Sequence, residues 1–179
     1  QAVAVPRRPQ MTRRPRVALA TQAGMRPDPD DVALAAALRG RGIGAELLAW
    51  DDPAAPWSDM DTVVVRSIWN DPGVDWAAFD AVLIRTTWDY QEHRDEFVAW
   101  AARVGEVSAL WNPADVVTWN THKGYLADLE ERGAPTVPTV WLHQGQRVEL
   151  GALLAAQGWS QAVAKPAVGA SGTGVLRIE

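Results

Sequence analysis

Short apolar runs alternate with helical segments between residues 16 and 113, and this order is the feature that most restricts the fold. Apolar runs bounded by polar residues are typical of parallel strands that are covered on both faces of a sheet. The order therefore predicts an α/β fold with a parallel, doubly wound sheet that binds ligands at the carboxyl ends of its strands. The strands are predicted at 16–21, 45–50, 62–67, 81–86 and 108–113, and the helices at 28–42 and 92–105.

A tandem repeat lies inside this region, because residues 50–68 and 69–87 are similar position by position. The identical pairs are Trp50 and Trp69, Asp52 and Asp71, Pro53 and Pro72, Trp57 and Trp76, Asp61 and Asp80, Val63 and Val82, and Arg66 and Arg85. We interpret the repeat as a local duplication of one loop-plus-strand unit; chance similarity between two strands is the alternative. One copy is expected to form the usual strand, and the other an edge strand or a surface excursion.

The composition excludes several classes of function. The absence of cysteine excludes disulfides, thiolate catalysis and cysteine zinc sites. A net charge of −5 argues against a nucleic-acid-binding surface, and no apolar run is long enough to span a membrane. The three histidines have no metal-binding spacing, so no metal ligand is predicted. The opening residues 1–15 lack the apolar core of a signal peptide, which predicts a disordered tail and a cytoplasmic protein.

The pattern changes after residue 112 to that of a second, α+β domain. A short helix is predicted after Asn112-Pro113, and a second helix that carries Lys123 is predicted to end at Gly133. Further elements are predicted as strands at 139–142, 161–167 and 175–178 and as a helix at 148–159. We therefore divide the chain into a tail at 1–15, a first domain at 16–113 and a partial second domain at 114–179.

A glycine-rich loop follows the strand at 161–167, in the sequence "AVAKPAVGASGTGVLRIE". Glycine loops commonly hold phosphate, because their bare backbone N–H groups approach an anion closely. Lys123 and Lys165 are the two lysines of a chain that has fifteen arginines, and Lys165 lies just before the loop. A lysine ammonium suits a phosphate oxygen as a point charge. An anion site is thus predicted, with a plain β-hairpin and chance surface lysines as the alternatives.

Three common motifs are absent. A Walker A loop would need Lys after Gly174, where Val175 stands, and a nucleophile elbow would need glycine in place of Thr173. The dinucleotide fingerprint is missing after the first strand, where "ATQAG" has one glycine. P-loop NTPases, serine hydrolases and dinucleotide oxidoreductases are therefore not supported.

Two segments, "NPADVVTWNTHKGYLADLEERGAPTVPT" and "AVAKPAVGASGTGV", resemble the ATP-grasp ligases of the glutathione-synthetase-like branch. Together with "RTTWDY" they are similar to cyclo-ligases that form D-cycloserine from O-ureido-D-serine. The resemblance covers residues 16–179 and is most specific in the second half. It implies a Rossmann-like pre-ATP-grasp domain followed by the N-terminal part of an α+β ATP-grasp domain. The family transfers the γ-phosphoryl group of ATP to a carboxylate, and a nitrogen nucleophile then attacks the acyl phosphate.

The resemblance also implies roles for particular residues. Lys123 and Lys165 would contact the nucleotide, and a lid over the phosphates would be formed by Gly169, Ala170, Ser171, Gly172, Thr173 and Gly174. The substrate site would contain Arg85, Thr87, Trp88, Asp89 and Tyr90, with Arg85 bound to a carboxylate. Arg66 occupies the equivalent position in the first copy, and we favour Arg85 because the second copy leads into "WDY". Core packing is the alternative role of the two aromatic residues.

The partners implied are ATP, Mg²⁺ and a small amino-acid-like carboxylate. The family's magnesium ligands lie in a C-terminal half that this sequence does not contain, so the catalytic residues stay unassigned. The chain alone is therefore expected to be inactive as a ligase. A non-catalytic nucleotide- or metabolite-binding module is the alternative function.

Overall fold

The computed structural model describes residues 13–65, 69–85, 87 and 89–179. The chain divides into two compact units, of which the first extends to Thr118 and the second runs from Trp119 to Glu179. The elements of the first unit are β1 (Arg16–Thr21), α1 (Pro29–Gly40), β2 (Gly44–Ala49), β3 (Thr62–Val65), β4 (Ala81–Ile84), α2 (Arg94–Val107) and β5 (Ala109–Trp111). They are followed by α3 (Ala114–Asn120), α4 (Tyr125–Glu131), α5 (Leu150–Gln157), β6 (Ala162–Ala164) and β7 (Leu176–Ile178).

The first unit contains a five-stranded sheet in the order β2-β1-β3-β4-β5, and all of its strand pairs are parallel. The α/β fold and the parallel sheet predicted from the sequence are therefore confirmed. The chain leaves β1 on one side to form β2 and returns on the other side to form β3. Sheets of this kind bind ligands outside the carboxyl ends of the strands, at the point where the order reverses.

The sheet is covered on both faces, because successive residues of a strand point in opposite directions. Ala18, Val63 and Val65 pack on one face with Phe97 and Trp100 of α2. The alternate residues Val17, Leu19 and Val64 pack on the other face with Ala35 of α1. Both faces of the central strands are thus buried, which is why these strands read as continuous apolar runs.

The two copies of the repeat lie side by side in the middle of the sheet. Each residue of β3 pairs with its repeat equivalent in β4, from Thr62 with Ala81 to Val65 with Ile84. β3 also pairs with β1, and β4 pairs with β5. The expectation of an edge strand or a surface excursion was therefore wrong: the two copies have apolar residues at the same strand positions, so the second copy extends the buried sheet.

The connections inside the repeat also correspond. A 3-10 turn precedes each strand, at Trp57–Asp59 in the first copy and at Trp76–Ala78 in the second. The residue after each turn, Met60 or Phe79, is buried in the same core. Each copy of the repeat therefore reaches its parallel strand through a 3-10 turn, where a crossover helix is usual.

We expect a chain that lacks residues 50–68 to remain folded. The deletion joins Ala49 to Trp69, and β4 can then pair with β1 because its residues match those of β3 in register. Thermal unfolding followed by circular dichroism should stay cooperative. Deletion of 94–112, which is equally long but removes α2 and β5, is the control and should abolish the transition. If the chain that lacks 50–68 lost its cooperative transition, β4 would not be able to take the place of β3 beside β1, which would contradict the prediction.

Charged residues join the amino-terminal ends of three strands. Arg16 donates to Glu46 at 2.6 Å and to Asp59 at 3.0 Å, while its backbone N–H donates to Asp61 at 2.8 Å. The hydrogen bonds with Glu46 and with Asp59 raise the pKa of the Arg16 guanidinium above its ordinary value. This edge of the sheet is thus closed by ion pairs, which leaves the carboxyl edge as the place for a ligand.

The second unit has a smaller, two-stranded antiparallel sheet formed by β6 and β7. Its α4 helix ends as predicted, since Gly133 follows the helix with a φ of +85° and its N–H donates to Glu130. The strand expected at 139–142 is not formed, and Trp141 and Leu142 of that run are 39% and 47% exposed. An extended segment becomes a strand only when another strand pairs with it.

Among the helices of the described residues, none combines the length and the apolarity that a membrane span would need.

Candidate functional site

The glycine-rich loop links β6 to β7 through two tight turns. The N–H of Thr173 donates to Ala170 at 3.0 Å, and the N–H of Val175 donates to Gly172 at 3.2 Å. Gly174 has a φ of +70°, and a Cβ at this position would lie 2.8 Å from Cγ of Pro166. The loop thus folds back onto the proline that follows Lys165, and glycine is required at 174 by both conformation and space.

Lys123 holds this loop from the other side. Its backbone N–H donates to the carbonyl of Ala167 at 2.7 Å, and its Nζ donates to Pro166 at 2.8 Å and to Gly169 at 3.1 Å. Lys123 was predicted within a helix, but it lies in the turn before α4, which begins at Tyr125. The structure therefore brings Lys123 and the start of the glycine loop together, and the ammonium keeps one of its three donors.

Lys165 has a different environment. It follows β6 directly, it is exposed, and in the part of the chain that the structure describes it makes no hydrogen bond or ion pair. Within the same described residues, the backbone N–H groups of 169–172 and of Gly174 also donate to no other group. Lys165 thus precedes this row of free amide donors by four positions in the sequence, and ammonium and amide donors are groups that bind anions such as phosphate.

The described residues form no group of three or more histidine or acidic side chains that could bind a metal ion together. Mg²⁺ is commonly held by one or two carboxylates together with nucleotide phosphates. The family resemblance implies that its protein ligands lie in the C-terminal half of the family's proteins, so no residue of this chain is assigned to it.

Arg85 lies directly after β4, at the carboxyl edge of the large sheet. Its Nη1 donates to Oδ1 of Asp31 at 3.0 Å, and its Nη2 lies 3.6 Å from Oδ2 of Asp30. The Asp31 side chain is 2% exposed and that of Asp30 is 81% exposed. Arg85 is therefore fixed by a buried carboxylate of α1, while about a third of its own surface stays accessible.

The first turn of α1 places these acids at the sheet edge. Pro29 begins the helix, and Asp28 caps it by accepting from the N–H of Asp30 at 2.8 Å. Acidic residues in a first turn are stabilised by the helix dipole. The sequence therefore specifies a helix that begins next to the end of β1 and presents Asp30 and Asp31 to Arg85.

The other residues of the predicted substrate site have mixed environments. Asp89 accepts from the indole N–H of Trp69 at 2.7 Å, so its carboxylate is held by the start of the second repeat copy. Tyr90 packs on Phe97, with ring centroids 5.7 Å apart. This contact favours core packing, the alternative to a substrate-binding role for this side chain. Thr87 is half-buried, whereas Trp88 and Arg66 lie outside the described residues.

Two contributors were missed by the sequence reasoning. Asp31 is 54 positions from Arg85, and nothing local links the two side chains. Asn112 follows β5, and its Nδ2 donates to the carbonyl of Ile84 at 3.1 Å, which fixes the end of β4 next to Arg85. The available signal was positional, because Asn112 lies at the end of a predicted strand and Asp31 lies in the first turn of a predicted helix.

Comparison with known proteins gives a consistent result. The family described as "D-cycloserine synthetase DcsG, N-terminal domain" matches residues 17–70 and 68–112. The two matched segments meet where the first repeat copy ends and the second begins. The match thus covers more than half of the chain and is interrupted at the junction of the repeat.

Two relatives can be compared directly. The cycloserine biosynthesis protein DcsG of Streptomyces lavendulae is 34% identical over 130 residues, which are 72% of this chain and 37% of that protein. The crystal structure of D-cycloserine synthetase DcsG superposes with a TM-score of 0.66 at 32% identity, over 90% of this chain and 50% of that one. The chain thus spans at most half the length of the relatives that it matches.

Proposed function

The chain belongs to the family of the D-cycloserine synthetase DcsG N-terminal domain, and from this membership we propose that it is the N-terminal part of an ATP-dependent ligase. The proposed ligase activates the carboxylate of a small amino-acid-like substrate and joins it to a nitrogen atom. Its relatives are named for the synthesis of D-cycloserine. A cyclising reaction, in which both groups belong to one substrate, is therefore the form that we propose first.

The observation that carries this proposal is the set of donors without partners at the glycine loop. Lys165 and the amides of 169–172 are without partners in the described structure, while Lys123 holds the loop by its carbonyls. We assign the nucleotide phosphates to the amides and to Lys165. Lys123 then has a positioning role and contributes its remaining donor.

The carboxyl edge of the large sheet supports the substrate class. An amino acid carries a carboxylate and an ammonium, and Arg85 and Asp30 offer the two opposite charges next to each other. Asp31 is buried and fixes the guanidinium, so Arg85 can receive a carboxylate in one orientation. Preorganised charges of this kind favour one bound geometry of the reacting group.

The proposed reaction has two steps. A carboxylate oxygen of the substrate attacks the γ-phosphorus of ATP, the bond to the bridging oxygen breaks, and ADP leaves. The nitrogen nucleophile then attacks the carbonyl carbon of the acyl phosphate and displaces inorganic phosphate. The residues described here would bind and orient both reactants for these steps.

Lys165→Ala is expected to weaken ATP binding by the loss of a charge-assisted contact of about 1.5–3 kcal/mol, which is roughly 10- to 150-fold in Kd. The protein for this test is this chain fused to the C-terminal part of the Streptomyces lavendulae relative, and the measurement is isothermal titration calorimetry. Arg177→Ala is the matched control, because Arg177 lies in the same small sheet and pairs with Glu179 at 2.7 Å. An ATP affinity that Lys165→Ala leaves unchanged would contradict the assignment of Lys165.

A further inference from the structure

A cavity of about 350 Å³ lies between the two copies of the repeat. Its walls are formed by Trp50 and Trp57 of the first copy and by Trp76 of the second. Asp71 and Asp75 also line it, and none of the described residues around it is basic. The cavity therefore combines aromatic surfaces with two negative charges.

The two carboxylates are held in place without being neutralised. Oδ1 of Asp71 accepts from the N–H of Gly73 at 2.8 Å, and Oδ1 of Asp75 accepts from the N–H of Ala77 at 3.1 Å. Neither carboxylate forms an ion pair with the described part of the chain. The negative charge of the cavity thus has no counter-ion among those residues.

A second cavity, of about 620 Å³, offers an internal comparison. Asp71, Asp75 and Trp76 line both cavities, and the second one is also lined by Trp69, the repeat equivalent of Trp50. Its opposite wall is formed by α2, which contributes Glu96 and Arg103. The two cavities thus share both carboxylates, and of the two only the second has a basic residue among its described lining residues.

We propose that the cavity between the two copies binds a small organic ammonium ion. Tryptophan faces attract cations through the ring quadrupole, more strongly in partly desolvated sites, and the carboxylates add charge complementarity. The volume lies within the range of small-molecule sites. The duplication created this site, because each copy forms one of its walls. Neither Arg85 nor any residue of the glycine loop lines it.

Choline is the probe for this proposal, and 3,3-dimethylbutan-1-ol is its uncharged counterpart of the same shape. Both are titrated into the labelled chain at constant ionic strength while the indole N–H signals are followed by NMR. Choline should shift the signals of Trp50, Trp57 and Trp76 in a saturable manner, with an affinity at least about tenfold higher than that of the neutral alcohol. Equal affinity of the two probes, or no saturable shift in the folded chain, would overturn the proposal.

Asp71→Asn with Asp75→Asn is the decisive variant. Asparagine supports the same turn and helix-cap hydrogen bonds, so the backbone is expected to be retained while both charges are removed. The Kd for choline should rise about tenfold or more in this variant. Arg103→Ala, in the second cavity, should leave it unchanged. If choline bound in the second cavity, Arg103→Ala would tighten its binding, because a like charge is removed. A double variant that binds choline as the unmodified chain does, or an Arg103→Ala chain that binds it more tightly, would refute the assigned site.

Discussion

Trp69→Ala is expected to lower the free energy of unfolding of the first unit by about 3–5 kcal/mol. Trp69 is 2% exposed, and its ring lies 5.2 Å from that of Phe97 and 6.2 Å from that of Trp100. Its indole N–H also donates to Asp89. The substitution would therefore leave a large cavity and an unpaired carboxylate at once.

Trp50→Ala is the matched control, because Trp50 occupies the equivalent position in the first copy. It is half-buried, and its indole N–H is buried without a hydrogen-bond partner in the described structure. The position equivalent to Asp89 is Asn70, which is exposed. We expect a loss of about 1–2 kcal/mol for Trp50→Ala, since less surface and no hydrogen bond are removed.

Both free energies can be measured by urea titration, followed through the NMR signals of β3 and β4. These signals report on the first unit and do not depend on tryptophan fluorescence, which the substitutions change. Equal losses for the two variants would show that the copies are energetically equivalent and would contradict the account of Trp69 as the centre of the core.

Arg85→Met is expected to cost about 2–3 kcal/mol, because it removes the ion-pair partner Arg85 from a carboxylate that is 2% exposed. The figure lies below the usual range for a fully buried pair, since Arg85 itself is 34% exposed. Asp31→Asn removes the buried charge with which Arg85 pairs. The double variant should therefore recover at least half of the stability that Arg85→Met loses.

The same urea titration, on the two single variants and the double variant, gives the coupling free energy between the side chains. Asp30→Asn is the control, because Asp30 is 81% exposed and lies 3.6 Å from Arg85; its effect should stay within about 0.5 kcal/mol. If Arg85→Met also changed the free energy of unfolding by only about 0.5 kcal/mol, the ion pair between Arg85 and Asp31 would not stabilise the fold, which would contradict the prediction.

Local patterns in the sequence predicted the elements of the first unit well. The apolar runs at 16–21 and 81–86 became β1 and β4, and the acidic start of α1 became a capped helix terminus. These features depend on residues within a few positions of each other, and the sequence contains that information directly.

Long-range placement was harder to predict. The repeat indicated two similar strands but not that they pair with each other in register, and this pairing moved the second copy from the edge to the interior. The strand expected at 139–142 failed for a related reason, because an apolar run alone does not provide a pairing partner.

In the candidate site, too, local features could be predicted from the sequence and long-range contacts could not. The family resemblance implies that the glycine loop and Lys123 both contact the nucleotide, which stays a prediction; the hydrogen bonds of Lys123 to the carbonyls of Pro166 and Gly169 were not foreseen. The role of Asp31 could not be predicted, because it depends on the sheet bringing α1 and the end of β4 together.

Acyl-phosphate formation tests the proposed ligase function most directly. In the fusion protein described above, ATP and O-ureido-D-serine should give ADP, and added hydroxylamine should trap as a hydroxamate the part of the activated carboxylate that does not cyclise. This chain alone should form neither product, because the magnesium ligands of the proposed ligase are expected in the C-terminal part that the fusion supplies. The full-length Streptomyces lavendulae protein is the positive control. Hydroxamate formation by this chain alone, or a folded fusion that forms none while the control does, would contradict the account.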